Sequence, residues 1–333
     1  HPELRPSPAS PRRGGFLLSG LNNLTTKDTK EHKGFYMSPL CTWCTWCTWW
    51  LTCFYLITID LTHQSPHATI TPMITSAHNT RIQWLRRLQS QSKARRAEGA
   101  FILEGVRLAE EALQAGWPAL LVLHSEALSE RGQAVVEGFA QRGVPVEAAT
   151  QAVFKAASDT ETPQGLLVAL KLQPLPLPGN LDFALIPDGV RDPGNLGTLL
   201  RTAAAAGVQA VLLPPGTTDA YAPKVMRAAM GAHFRLAVQA LEWPAIQGII
   251  HAADHPLRVF LADAASGHPY TRVDLRLPLA LVVGGEAEGA SPPAIALADE
   301  RLHIPMPGGM ESLNAAVAAA ILLFEVVRQR TLP

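Results

Sequence analysis

The sequence predicts an α/β protein in two parts, a small α/β domain followed by a larger C-terminal domain on a mostly parallel sheet. Three observations carry that expectation. Short apolar runs alternate with helix-periodic stretches from about residue 100 onward, the order of a parallel sheet covered by helices on both faces. The segment QPLPLPG (173–179) interrupts the alternation with three prolines and a glycine, which is linker composition. The length of 333 residues exceeds one ordinary domain. The expected division is therefore 73–172, a linker over 173–180, and 181–333.

Residues 1–72 stand apart. All four cysteines (Cys41, Cys44, Cys47, Cys53) and four of the seven tryptophans fall there. The spacing of Cys41, Cys44 and Cys47 with His63 and His67 admits a zinc reading. However, CTWCTWCTWW is a tandem repeat, and bulky Thr-Trp pairs do not make the turn that zinc ligands need, so no metal is expected. The apolar run 49–59 is shorter than the ~20 residues a bilayer demands, and it lies too deep for a signal peptide. The expectation is an extension, disordered or artefactual, ahead of a natural start near Met73, and no membrane partner. The remainder has no cysteine, which fits a reducing cytoplasm.

The elements follow in order. The stretch 81–96 carries Arg81, Arg86, Arg87, Lys93, Arg95 and Arg96, with Ile82, Trp84, Leu85 and Leu88 at helical spacing. A strand is expected over 101–103, a helix over 106–115, a strand over 119–124, and a helix over 130–142 stopped by Gly143. A strand over 165–172 closes the first part. In the second part, strands are expected over 183–187, 210–213, 258–262, 279–283 and, short and extended, 303–306. Helices are expected over 196–206 and 224–232. A closing helix over 313–330 repeats Leu313, Val317, Ile321, Phe324 and Val327 on one face, with an alanine-rich face beside it.

Composition excludes little. Apolar residues make up 47% and charged residues 17% of the chain, which is globular rather than disordered. Lys plus Arg and Asp plus Glu number 28 each, so a polyanion partner would have to be met by charge gathered on one face. No strand runs into G-x-G-x-x-G, and a P-loop, a G-x-S-x-G elbow and helically spaced histidine pairs are missing. Nicotinamide, nucleotide-phosphate and serine-hydrolase chemistries lose their motifs.

What remains are three glycine-rich segments behind apolar runs: DPGNLGTLLR (192–201), VGGEAEGAS (283–291) and IPMPGGMESLN (304–314). Strand ends are where α/β proteins build ligand sites. Taken singly, each has a bland account: Asn195 as a helix cap, Arg201 as a solvated residue, Glu286 and Glu288 facing water, Ser312 as an N-cap. Taken together they form one composite site.

The three segments resemble the motifs of the SpoU (TrmH-like) branch of the SPOUT RNA methyltransferases. Asn195, Gly197 and Arg201 match N-x-G-x-x-x-R, while Gly284, Glu286 and Gly289 match G-x-E-x-x-G. Ile304, Pro305, Met306, Gly308, Ser312, Leu313 and Asn314 match the third motif, with Ala315-Ala316 standing where Val-Ser is usual. FILEGVRLAEEAL (101–113) and SDTETPQGLLV (158–168) resemble the family's substrate-binding domain. The resemblance spans about 79–330. It implies a deep trefoil knot in the C-terminal domain, S-adenosylmethionine as cofactor, and methylation of a ribose 2′-hydroxyl in RNA, rRNA more than tRNA. It implies cofactor contacts at Gly284, Ile304, Met306, Gly308 and Leu313, and a catalytic group of Arg201, Asn195, Glu286, Ser312 and Asn314. It further implies a homodimer, and RNA contact through the basic stretch 81–96, with Lys224, Arg227 and Arg235 a weaker second patch. A catalytically silent RNA-binding or ribosome-assembly protein of the same fold is the alternative from another class.

Overall fold

The computed structural model describes residues 73–252, 256–285 and 288–331. The extension 1–72, with its cysteine repeat, and Glu286 both lie outside the described residues.

The basic stretch forms two helices rather than one, α1 (Thr80–Ser90) and α2 (Ser92–Glu98). Gln91 breaks them apart in an extended conformation, φ −125° and ψ 113°. The chain continues as β1 (Ala100–Glu104), α3 (Val106–Gln114), β2 (Ala119–Ser125), α4 (Glu130–Gln141), β3 (Val146–Ala149), α5 (Gln151–Ala157) and β4 (Leu166–Lys171). The four strands make one sheet in the order β1-β4-β2-β3. It is antiparallel apart from the β2–β3 pair. β3 and α5 are additions to the sequence expectation; the strand is only four residues long and half-exposed on alternate positions, which leaves little pattern to read.

The second part comprises β5 (Phe183–Asp188), α6 (Pro193–Ala205), β6 (Ala210–Leu213), α7 (Pro223–Ala229), β7 (Ala237–Ala240) and α8 (Trp243–Ala252). There follow β8 (Arg258–Ala262), β9 (His268–Pro269), β10 (Leu279–Gly284), α9 (Pro292–Leu297), β11 (Glu300–His303) and α10 (Ala315–Thr331). Seven strands pair in the order β7-β6-β5-β10-β8-β11-β9, and every recorded pairing is parallel. The chain runs outward from β5 through β6 to β7, then returns to build the other half. β10 enters between β5 and β8, and β11, the last strand, between β8 and β9. The last strand falls at 300–303 rather than 303–306, and β7, α8, β9 and α9 are additions to the sequence expectation.

Strand periodicity sorts the core into three clusters. On β5, Phe183 and Leu185 face one cluster while Ala184 and Ile186 face another, beneath Ile246 and Ile250 of α8. On β1, Ala100 and Ile102 pack with Ile82, Leu85 and Leu88 of α1, whereas Phe101 and Leu103 join the cluster of β5. One core therefore runs continuously from the four-stranded sheet into the seven-stranded one. Across this seam Phe101 lies against Tyr221 at 4.9 Å between ring centroids, and Trp117 against Phe234 at 5.2 Å. Burial beside that seam lowers His233 to a pKa of about 4, against smaller opposing effects of its bond to Ala220 and of Asp219, so it is neutral at physiological pH.

The closing helix corrects an expectation. The expected stripe does not face the core: Val317 is 49% and Phe324 48% exposed. The buried side is Ala315, Ala316, Ala319, Leu322, Leu323 and Val326. The first half of the inner side is alanine and the second half leucine and valine, while Val317 and Phe324 are left outside.

Candidate active site

The C-terminal ends of β10, β8 and β11 lie side by side next to the point where the sheet's winding reverses. At such a switch point the loops diverge and leave a crevice. A cavity of about 610 Å³ opens there. Its wall includes Leu261–Ala265 after β8, the loop 283–285 and 288–290 after β10, Ile304 and Met306 after β11, and Ser312, Leu313 and Asn314 before α10.

The wall is backbone-rich for a steric reason. A Cβ on Gly284 would come within 2.6 Å of the Ala290 nitrogen and the Gly289 carbonyl carbon, and one on Gly285 within 2.5 Å of the Gly189 oxygen. The loop folds back on itself through the Gly289 N–H donating to the Gly285 carbonyl at 3.1 Å. Gly197 serves differently. A Cβ there would meet Ala228 and come within 2.8 Å of the Val225 carbonyl oxygen, so this motif glycine lets α6 and α7 pack closely and touches no ligand space.

Caps fall on other residues than the sequence suggests. Asp192, not Asn195, caps α6 by accepting from the Asn195 N–H at 2.8 Å. Asn314, not Ser312, caps α10, its Oδ1 accepting from Ala316 N at 3.0 Å and Val317 N at 3.3 Å. The Asn314 Nδ2 donates to Asn195 Oδ1 at 3.0 Å across 119 residues of sequence. The amide pair ties the heads of α6 and α10 together. Arg201 is exposed on α6 and stands outside the cavity wall; among the described residues it makes no ion pair.

Asp263 in the wall has a lowered pKa. Burial pushes it upward, but hydrogen bonds from Ser266 and the Ala265 N–H, with the Arg301 guanidinium, outweigh that and hold it below the usual range. Among the described residues no three His, Cys, Asp or Glu side chains cluster as metal ligands, and no helix is long and apolar enough to cross a membrane.

Two family models match this chain: the SpoU rRNA Methylase family over residues 182–324, and the MRM3-like substrate binding domain over 79–168. The 23S rRNA (guanosine(2553)-2′-O)-methyltransferase of Bacillus subtilis is 33% identical over 253 residues, covering 76% of this chain and 98% of that protein. The chain belongs to the SpoU rRNA methylase family. The human mitochondrial rRNA methyltransferase 3 is 34% identical over 297 residues, covering 71% and 69%. An AdoMet-bound rRNA methyltransferase from Sinorhizobium meliloti superposes with a TM-score of 0.69 at 29% identity, covering 77% of this chain and 97% of that one.

Within this SpoU fold the residues anticipated from sequence divide. Gly284, Ile304, Met306, Ser312, Leu313 and Asn314 line the cavity, and Asn195 is bonded to it through Asn314. Gly308 does not line it; Gly309, at φ +74°, makes the turn instead. In the basic stretch, Arg95 is a correction. It is 4% exposed, donates to Asp219 from Nε at 2.9 Å and Nη2 at 2.6 Å, and its Nη1 caps Leu88 and Gln89 carbonyls, so it cannot reach RNA. Arg81 pairs with Glu147 at 2.6 Å and Arg87 with Glu98 at 3.2 Å. Arg86, Lys93 and Arg96 are exposed without a carboxylate partner among the described residues. In the second patch, Arg227 is tied to Asp159 and Arg235 to Glu111. Sequence reasoning missed Asp263, Ala264 and Ala265. The signal was present, since 258–262 is an apolar run ending in Asp and two alanines, the same grammar as the other strand ends.

Proposed function

We propose that this chain is an RNA 2′-O-ribose methyltransferase that uses S-adenosylmethionine and acts on rRNA. The cavity at the strand ends carries the reading. Its residues suit such a donor: side-chain-free backbone at Gly284 and Gly285, apolar Ile304, Met306 and Leu313, and carboxylates at Asp263 and Glu288 facing a cationic ligand. S-adenosylmethionine supplies an electrophilic methyl on a positively charged sulfur, so no metal is required.

The remaining tasks belong to the protein. A ribose hydroxyl becomes nucleophilic as its developing negative charge is stabilised. Arginine side chains stay protonated in proteins, so Arg201 acts electrostatically on the incipient alkoxide rather than as a base. Asn195, Glu286, Ser312 and Asn314 orient the ribose for attack. Retention of these five residues favours an enzyme over a silent RNA-binding protein of the same fold. The exposed Arg86, Lys93 and Arg96 supply phosphate contacts.

The functional unit in this reading is a homodimer. Leu313, Val317 and Phe324 present an outward apolar stripe beside α6, a face that a second copy would cover, with Arg201 exposed on the neighbouring helix. The chain segment entering α10 is taken to thread a deep trefoil knot, consistent with β10 being inserted between β5 and β8. The setting is the cytoplasm. The test is incubation of the full chain with methyl-labelled S-adenosylmethionine and rRNA from a strain lacking the gene, followed by mass-spectrometric mapping. Label on the ribose of one rRNA nucleotide is expected. Label on tRNA alone, on a base, or nowhere overturns the reading.

A further inference from the structure

The loop that follows β10 contributes Gly284, Gly285, Glu288, Gly289 and Ala290 to the cavity wall. Four of these five have no side chain beyond a methyl, and of them Ala290 alone packs against the core, so packing holds little of the loop. Something outside it must set its position. Asp188, the last residue of β5, is 2% exposed and pairs in register with Gly284. Its Oδ2 accepts from the backbone N–H of Ser291 at 2.5 Å. A carboxylate accepting a backbone N–H is among the stronger neutral–charged hydrogen bonds, and here it is shielded from water. The Ser291 hydroxyl is buried there without a hydrogen-bond partner among the described residues, so the recorded connection runs through the main chain. On the other side of the bond, Gly285 lies against the Gly189 carbonyl, immediately after Asp188. A second, exposed tie joins Arg191 to Glu288 at 2.9 Å.

We infer that Asp188 is a positioning residue for the methyl donor. By holding the Ser291 N–H it pins the distal end of the 284–291 loop to the end of β5 and so sets the width of the cofactor cavity. Asp188 does not itself line the cavity, so it acts through the loop. The inference rests on the proposed use of S-adenosylmethionine.

Three variants of the full chain separate the possibilities, with calorimetric S-adenosylmethionine binding, KM for donor and for RNA, and melting temperature measured on each. Asp188→Ala removes the acceptor. Ser291→Pro removes the donor N–H and puts the ring against the Asp188 carboxylate; the φ −69° and ψ 158° of Ser291 are themselves values proline adopts. Asp188→Asn keeps an oxygen acceptor. The inference expects Asp188→Ala and Ser291→Pro each to weaken donor binding about tenfold, with donor KM raised, RNA KM unchanged, and binding largely restored in Asp188→Asn. Should Asp188→Ala fail to fold, Ser291→Pro decides alone. Wild-type donor affinity in Ser291→Pro, or a lowered melting temperature with unchanged affinity, overturns the inference and leaves the proposed function standing. A wild-type chain that binds no S-adenosylmethionine overturns both.

Discussion

The arginines of α1 and α2 and the arginine of α6 have opposite fates. On the first two helices, Arg81, Arg87 and Arg95 are engaged by Glu147, Glu98 and Asp219. Arg95 is the extreme case: it is buried and holds the four-stranded half of the molecule to a loop of the other half. On α6, Arg201 is exposed and makes no ion pair among the described residues. A buried cation that lost its partner would carry a heavy desolvation cost, so Arg95 is committed to structure. An exposed, unpaired guanidinium keeps its charge available for whatever approaches. The difference teaches that basic residues become functional through what they are not bonded to.

The largest expected effect is at the free end of that contrast. Arg201→Ala is expected to lower single-turnover methyl transfer on the order of 10²–10³-fold while leaving S-adenosylmethionine affinity within about twofold. Turnover at the wild-type rate would erase the distinction between α6 and the basic helices. At the committed end, Asp219→Ala should destabilise the fold by ~3 kcal/mol in urea unfolding, because Arg95 stays buried with one charge unanswered. Glu98→Ala, which frees the exposed Arg87, should cost less than ~1 kcal/mol. Equal losses in the two variants would show that burial does not separate them. The smallest effect concerns RNA. The Arg86→Ala, Lys93→Ala, Arg96→Ala triple variant should reduce the slope of log affinity against log salt by about 2, and the Arg81→Ala, Arg87→Ala pair by less than about 1. An unchanged slope in the triple variant removes α1 and α2 from the interface.

The closing helix shows where sequence patterning misleads. Leu313, Val317, Ile321 and Phe324 repeat as a core stripe would, yet Val317 and Phe324 are half-exposed and the alanines face inward. Hydrophobic periodicity marks a face that avoids water, without saying whether its cover is the same chain or another. The buried side joins Ala315, Ala316 and Ala319 to Leu322, Leu323 and Val326, a face the repeat of the larger residues did not mark. A similar ambiguity attends Gly197, a motif glycine by pattern and a helix-packing glycine by contact.

Much of the fold was legible one segment at a time. The strand over 258–262 coincides with β8, and the runs at 183–187 and 279–283 fall one residue short of β5 and β10. These signals are local: side-chain alternation, helix stops at glycine, and small residues at strand ends follow from backbone geometry within a few residues. The three glycine-rich segments were legible as a composite site for the same reason, and with them the family. Partnerships across the chain were not. Arg95 finds Asp219 at a separation of 124 residues, Asn314 finds Asn195 at 119, and Asp188 finds Ser291 at 103. The sequence by itself determined which strands and turns exist and what chemistry their ends carry. Only the tertiary structure decided which charges are spent, which glycines make room for a neighbour, and that the end of β8 completes the cavity wall, because each depends on groups that only the folded sheet brings within bonding distance.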